Sequence, residues 1–457
     1  MKVLKFGGTS VGTVESLNNV KKIIESISDK AIIVVSALGG LTDKLISTAN
    51  MALKGDGSWE NEMFSIKERH FQIMEKVLPE DLKATTRHKV NLLLEDLESK
   101  FENIFKEKQL TEDQLNDIVS FGERISSFIV AAMVKNGKRY YSPDFIKTEK
   151  WYGKNIADRK LTDRLIRETF NEIKDNEKAI VPGFISTDST TGQITNLGRG
   201  GSDYTGALIA ASMDAEILEI WTDVDGFMTA DPRIVKEALI IDHLTFNESM
   251  ELCTFGAKVI YPPTIYPVFH KNIPIKILNT FNPEAPGTLI TDQVLNDDRE
   301  IKGVTTLKDV SLILLEVKDS NKLSDLSKKV FNTLSKQAVR IIPVSHSDSS
   351  LVMKFALLSS NTDISLKMLE EEFETDIKKE IIKRPELIDN LSAVALVGKH
   401  MRSKKRLAAR IGHSLMREGI IVEAYSIGNS DTTIVYIIKQ EKSSKALHLI
   451  HSIVFNC

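Results

Sequence analysis

The sequence predicts an α/β fold, a mostly parallel sheet between helical layers, followed by a smaller α+β module present in two copies. Three observations predict it. Short apolar runs alternate with helical patterns along roughly the first 295 residues. Glycine-rich turns stand at the ends of some of those runs, and the C-terminal part repeats itself at a fixed offset.

The strand-like runs are 3–6, 31–36, 179–185 and 217–222, each closed by small or polar residues. Helical patterns at 16–28, 162–176 and 203–213 separate them. Such alternation makes neighbouring strands parallel and gathers ligands at their carboxyl ends. A long helical insert, residues 59–136, is rich in Leu, Lys and Glu and broken at Pro79. Its heptads do not persist, so a helical hairpin on the sheet is at least as good a reading as a coiled coil. Residues 283–287 and the polar run 296–300 mark a boundary. Beyond it, Leu334 and Ser345 match Leu415 and Ser426, both offset by 81 residues. Each copy reads as strand, helix, strand, polar turn, strand, opening at 311–317 or 391–397. The expected domains are 1–296, 308–388 and 389–457, the last taking a strand from 300–306.

Hydrophobic residues make up 42% and charged residues 27% of the 457, the balance of a globular protein with ample core. A formal net charge of −3 gives no basic field for a polyanion, which argues against a nucleic-acid partner. No stretch approaches the roughly 18 apolar residues of a membrane span, and the N-terminal apolar run meets glycine too soon for a signal peptide. Cys253 and Cys457 lack the spacing of a metal site, so no protein-bound metal is expected, and a reduced cytoplasm fits.

Four segments carry chemistry. Lys5-Phe6-Gly7-Gly8-Thr9-Ser10 follows the first strand; its glycines let backbone N–H groups approach phosphate, a helix from near Val11 adds its positive end, and Lys5 can neutralise a transferred phosphoryl group. Asn196-Leu197-Gly198-Arg199-Gly200-Gly201-Ser202-Asp203 opens a helix; Arg199 can grip a carboxylate with two bonds, and Asp203 can orient Lys5 or hold a magnesium-bound water. Thr222-Asp223 ends a strand, and Arg233 and Lys258 follow, a set suited to a nucleotide's polar edge and phosphates. In Phe121-Gly122-Glu123-Arg124, read as a break in the insert, Glu123 can accept an ammonium group. Each has a plainer reading: a surface lysine, a helix-start charge, a simple turn. There is no Walker A pattern, and the dinucleotide GxGxxG fails where Asp203 replaces its third glycine.

Taken together, "KFGGTSV", "VVSALGGLTDKL", "FGER", "LGRGGSDYTGAL", "WTDVDG…TADPR" and "FGAKVIYPPT" resemble the aspartokinase family, in order and along nearly the whole chain. The C-terminal pair resembles tandem ACT domains. The resemblance implies an amino-acid-kinase fold with an eight-stranded, mostly parallel sheet. It implies transfer of phosphoryl from ATP, with Mg2+, to the side-chain carboxylate of L-aspartate, the first step toward lysine, threonine and methionine. Lys5 would stabilise the phosphoryl group and Asp203 would organise it. Thr42, Glu123, Arg199 and Ser202 would hold aspartate. Thr222, Asp223, Arg233 and Lys258 would hold ATP, with Gly7, Gly8, Thr9 and Ser10 around the phosphates. The ACT-like pair would sense an amino-acid effector, lysine or threonine, through Val339, Ser345 and Asp348, in a homodimer or larger homo-oligomer.

Three departures stand out. Met228 occupies a position where the family usually has tyrosine, Tyr261-Pro262 replaces His-Pro, and 345–348 lacks the Ser-Glu pair of lysine-sensing members. The rival readings are another carboxylate or phosphate kinase of the same fold, a non-catalytic amino-acid sensor, and the kinase half of a fusion with homoserine dehydrogenase. The end at Phe455-Asn456-Cys457 is where a single-function enzyme would stop.

Overall fold

The computed structural model describes residues 1–151, 153–292, 299–318, 323–337, 339–347, 351–427 and 431–455. Contacts divide the chain into two units, residues 1–227 with 259–293, and residues 228–258 with 294–457.

The first unit opens with β1 (Lys2–Phe6), α1 (Val14–Glu25) and β2 (Ala31–Val35). All five residues of β2, AIIVV, are buried, as expected of a strand covered on both faces. Then come α2 (Leu41–Lys54), α3 (Trp59–Val77), α4 (Glu80–Glu107) and α5 (Glu112–Met133). α3 stops at Leu78 because the residue before a proline is pushed out of the helical region, and Pro79 is the cap residue ahead of α4. Next are β3 (Gly137–Arg139), β4 (Lys147–Trp151), β5 (Lys154–Ala157) and α6 (Arg159–Phe170). β6 (Lys178–Pro182), β7 (Ile185–Asp188), β8 (Ile194–Asn196), α7 (Gly201–Ser212) and β9 (Ile217–Thr222) follow. After β10 (His243–Thr245) and α8 (Phe246–Thr254), which fall in the second unit, α9 (Tyr266–Phe269), β11 (Ile275–Asn279) and β12 (Thr288–Thr291) complete the first.

Within this unit seven strands pair in the order β12-β11-β9-β1-β2-β6-β3, every neighbouring pair parallel except β12 with β11. A second sheet runs β5-β4-β7-β8. Leu4, Phe6, Ile33 and Val35 of the large sheet share one buried cluster with Trp59, Leu94, Phe101 and Phe121 of the insert. The insert is therefore three packed helices, one more than a hairpin, and no coiled coil stands apart from the sheet.

Three local expectations need correction. The run 179–185 is two strands in different sheets, because Gly183 donates to the Val35 carbonyl at 2.8 Å and the chain then turns at Phe184 with φ 68°. α1 begins at Val14, where Thr13 caps it, and not near Val11. Phe121–Arg124 is no break; it lies in the middle of α5.

The second unit continues with β13 (Ile301–Glu316), α10 (Leu323–Ser335), β14 (Ile342–Ser347), β15 (Val352–Leu358), α11 (Thr362–Glu372) and α12 (Glu374–Lys378). β16 (Glu386–Gly398), α13 (Lys405–Arg417), β17 (Val422–Ile427), β18 (Thr433–Lys439) and α14 (Ser443–Phe455) end it. Its sheet runs β14-β15-β13-β16-β18-β17. β13 serves both copies: residues 301–307 pair with 393–398 of β16, while 310–316 pair with β15. Leu334 and Leu415, matched by the repeat, are each fully buried in the core of their own copy. The segment 228–258 inserts Ala230 and Val235 into the core of the second copy. Thr229 Oγ1 lies 2.9 Å from His451 Nε2 on α14. Among the described residues no helix is long and apolar enough to cross a membrane.

Candidate active site

Lys5 stands one residue before the carboxyl end of β1, in register with Val34 of β2 and Ile220 of β9. A central strand held on both sides fixes where its side chain leaves the sheet. The first turn of α7 meets it there: Lys5 Nζ lies 2.5 Å from Asp203 Oδ1, with side chains only 10% and 13% exposed. A pair this sheltered is held in one geometry.

The turn before α7 is built on Gly200, which caps the helix at φ 70°; a Cβ there would sit 2.4 Å from the Cβ of Tyr261. Both the left-handed backbone and the close approach demand glycine. Asn196 braces the same turn, accepting from the Gly198 N–H at 2.9 Å and donating to Asn116 Oδ1 of α5 at 2.6 Å. Arg199 projects from this turn and is exposed, while Ser202 is buried in the first turn of α7.

The third side is α5. A Cβ on Gly122 would come 2.6 Å from the Cβ of Ala37, so this glycine lets the helix touch the loop 36–40. That contact carries Glu123 into the same space, 4% exposed. Burial pushes its carboxyl up to about 8, against the lowering pull of the Ala37 and Glu123 backbone N–H groups and the Lys5 charge. Its Oε2 is buried with no hydrogen-bond partner.

These elements enclose a cavity of about 330 Å³ whose lining includes Lys5, Gly8, Thr42, Glu123, Arg199, Ser202 and Asp203. Seven of the candidates thus converge, two cations and two carboxyls beside hydroxyls and glycine-rich backbone. Phe184 also lines the cavity, and sequence reasoning missed it. Its left-handed φ is unusual for a bulky residue. Its N–H donates to Thr205 Oγ1 at 3.1 Å and its carbonyl accepts from Leu197 at 2.9 Å. Gly183-Phe184 inside an apolar run was the available signal for a chain reversal.

The other candidates lie elsewhere. Gly7 donates to the Trp221 carbonyl at 3.0 Å, joining the end of β1 to the end of β9, where Thr222 Oγ1 donates to Asp223 Oδ1 at 3.2 Å. Ser10, beside Thr9, is fully buried; its hydroxyl donates to the Trp221 carbonyl at 3.3 Å and shares a 2.7 Å bond with Thr280. Arg233 and Lys258 belong to the second unit and are exposed there. Arg233 Nη2 pairs with Asp231 Oδ2 at 2.8 Å and holds that carboxyl below its usual range. Met228 bridges to Ile240. Val339 packs against the core of the first copy, Ser345 sits in β14, and Asp348 lies outside the described residues. Among the described residues no three His, Cys, Asp or Glu side chains gather as a metal site.

Residues 1–279 match the model of the amino acid kinase family, and residues 394–453 match that of an ACT domain. The bifunctional aspartokinase/homoserine dehydrogenase of Haemophilus influenzae is 29% identical over 469 residues, covering 100% of this chain and 57% of that protein. The chain spans about half the length of the curated relatives it matches first, 50% to 57%. The crystal structure of E. coli aspartokinase III in complex with aspartate and ADP aligns at TM-score 0.84 and 25% identity over all of both chains. The same enzyme in complex with lysine and aspartate aligns at TM-score 0.74 and 25% identity, covering 100% of this chain and 99% of that one.

Proposed function

Since the chain belongs to the amino acid kinase family, we propose that it is an aspartate kinase, which moves the γ-phosphoryl group of ATP to the side-chain carboxylate of L-aspartate and yields ADP and 4-phospho-L-aspartate. The observation that carries this reading is the meeting of Lys5, Asp203, Arg199 and Glu123 in one cavity at the carboxyl end of a parallel sheet. An α-amino acid has one anionic and one cationic group to grip, and Arg199 and Glu123 offer the complements, with Thr42 and Ser202 as hydroxyl partners. A carboxylate is already a nucleophile at neutral pH, so the reaction needs no general base. Repulsion between two anions limits the rate, and Lys5, held by Asp203, relieves it as charge builds on the phosphoryl oxygens.

On the nucleotide side we assign the Gly8, Thr9 and Ser10 backbone to the phosphates, beside Gly7, whose own N–H is held by the Trp221 carbonyl, and Thr222, Asp223, Arg233 and Lys258 to the polar edge and phosphates of ATP. Mg2+ would be carried on those phosphates, in the usual manner of an ion that keeps most of its water. It would supply charge neutralisation of the phosphoryl oxygens. The duplicated module is read as an amino-acid sensor with Val339, Ser345 and Asp348 at its effector contact, in a homodimer or larger homo-oligomer. The lysine complex of E. coli aspartokinase III supports lysine as one candidate effector, threonine being the other. The test is ADP release with ATP and a panel of acceptors. L-Aspartate should drive turnover, and L-glutamate, N-acetylglutamate and UMP should not. Turnover with glutamate in place of aspartate would sink the proposal.

A further inference from the structure

We propose that Glu123 is protonated in the empty enzyme and gives that proton to solvent when the ammonium group of the acceptor amino acid enters, so that acceptor binding releases a proton. This rests on the aspartate-kinase reading above, and deepens it.

The surroundings of Glu123 carry the inference. It projects from the middle of α5 into the cavity, almost wholly buried, with Oε2 unpartnered. The charges around it are already engaged or lie outward. Lys5 on β1 is the near cation, and its ammonium is held by Asp203 of α7 at 2.5 Å. Arg199, on the turn before α7, is exposed. On α5 itself, Arg124 lies 3.7 Å from Asp117 and 4.2 Å from the centre of the Phe121 ring. From the loop 36–40 and the start of α2 the cavity is lined by Ser36, Ala37, Leu38, Gly39, Gly40 and Thr42, none of them charged. An ionised Glu123 would be a buried anion with one oxygen receiving no donor, which is costly. Protonation removes the charge, and burial pushes the group up to about 8.

An incoming ammonium reverses the balance. It brings a full positive charge and three N–H donors to the oxygen that lacks one. The carboxylic acid O–H breaks, its proton goes to buffer, and the resulting carboxylate pairs with an ammonium that keeps its own protons. Protonation thus competes with substrate at this one group. An acceptor without an ammonium, such as succinate, cannot offset the buried charge, so Glu123 would also select for amino acids.

The experiment is calorimetric titration of L-aspartate into the full chain, in PIPES and in Tris at the same pH, with product formation assayed in parallel. Near pH 7 the heats should differ by the buffers' ionisation enthalpies times nearly one proton per aspartate bound, falling toward zero above about pH 9. The aspartate KM should rise roughly tenfold per pH unit below about 8, with the ATP KM flat. Glu123→Gln should abolish the buffer dependence. The wild-type series decides the matter even if that variant does not fold. Aspartate that binds and is phosphorylated with buffer-independent heat overturns this inference and leaves the proposed activity standing. Absence of both binding heat and product overturns the activity reading beneath it.

Discussion

Two ion pairs, one in each unit, set a lysine or arginine against an aspartate beside motifs suited to phosphate. Lys5–Asp203 is 10% and 13% exposed, fixed by a central parallel strand and the first turn of a helix. Arg233–Asp231 is 81% and 31% exposed, and its partners stand two residues apart on one turn. Burial turns the first pair into a fixed feature of the site, because neither side chain has another place to go. The second is a surface pair of small intrinsic worth, free to exchange Asp231 for a ligand. Where a charge sits in the fold, more than its type, decides how much one substitution should change.

The largest effect should fall on the buried pair. Lys5→Ala should lower kcat about 100-fold or more, roughly 3 kcal/mol of transition-state stabilisation, with smaller changes in either KM. A kcat within a few-fold of wild type would erase the contrast drawn between the pairs.

Burial far from the cavity offers a control of similar size. His70, in α3, is fully buried, its Nδ1 2.7 Å from the Ile66 carbonyl and its Nε2 without a partner, and burial pushes it down to about 4 from 6.5. A lowered imidazole favours the neutral folded form, so its stability contribution is present above about pH 6.5 and lost as pH falls toward 4, at most about 3 kcal/mol. Urea midpoints measured from pH 7 to pH 4.5 should fall more steeply for wild type than for His70→Leu. Equal slopes would show that burial at this site does not set the titration.

Next comes Arg199→Lys, which keeps charge and loses the two-bond geometry. The aspartate KM should rise roughly tenfold, about 1.4 kcal/mol, with the ATP KM little changed. Equal rises in both would move Arg199 to the nucleotide side. The smallest effect is expected at the exposed pair: Arg233→Ala should leave the urea midpoint almost unchanged. Its ATP KM should rise a few-fold, more at low salt than at high. A hundredfold loss of kcat there would invert the comparison.

The same contrast explains what could be read in advance. A parallel sheet delivers the ends of distant segments to one edge, so Lys5, Arg199 and Asp203 could be read from motifs that end a strand or open a helix, and Thr42 and Ser202 joined them only through the family resemblance. Glu123 was grouped for its charge, yet its setting was misjudged. Gly122 looked like a helix break, whereas it allows α5 to touch Ala37, a contact between chain segments far apart in sequence. Phe184 went unseen for a similar reason: its φ of 68° answers to Thr205 and Leu197, which periodicity cannot reveal. In the second unit the 81-residue offset located Leu334 and Leu415 in equivalent cores, because a buried leucine is demanded by each copy separately. The division of β13 between the copies had no local signal beyond the expected strand at 300–306. The packing of Ala230 and Val235 into the second copy had none, since their partners lie some 70 residues or more along the chain.

The central claim is that phosphoryl moves from ATP to the side-chain carboxylate of aspartate. A single-turnover reaction with γ-labelled ATP and L-aspartate, quenched into hydroxylamine, tests it directly, since an acyl phosphate is captured as a hydroxamate and a phosphate ester is not. The account predicts aspartate β-hydroxamate in amounts matching the ADP formed, and almost none from Lys5→Ala in the same interval. ADP released together with inorganic phosphate before hydroxylamine is added, with no hydroxamate captured, would contradict it.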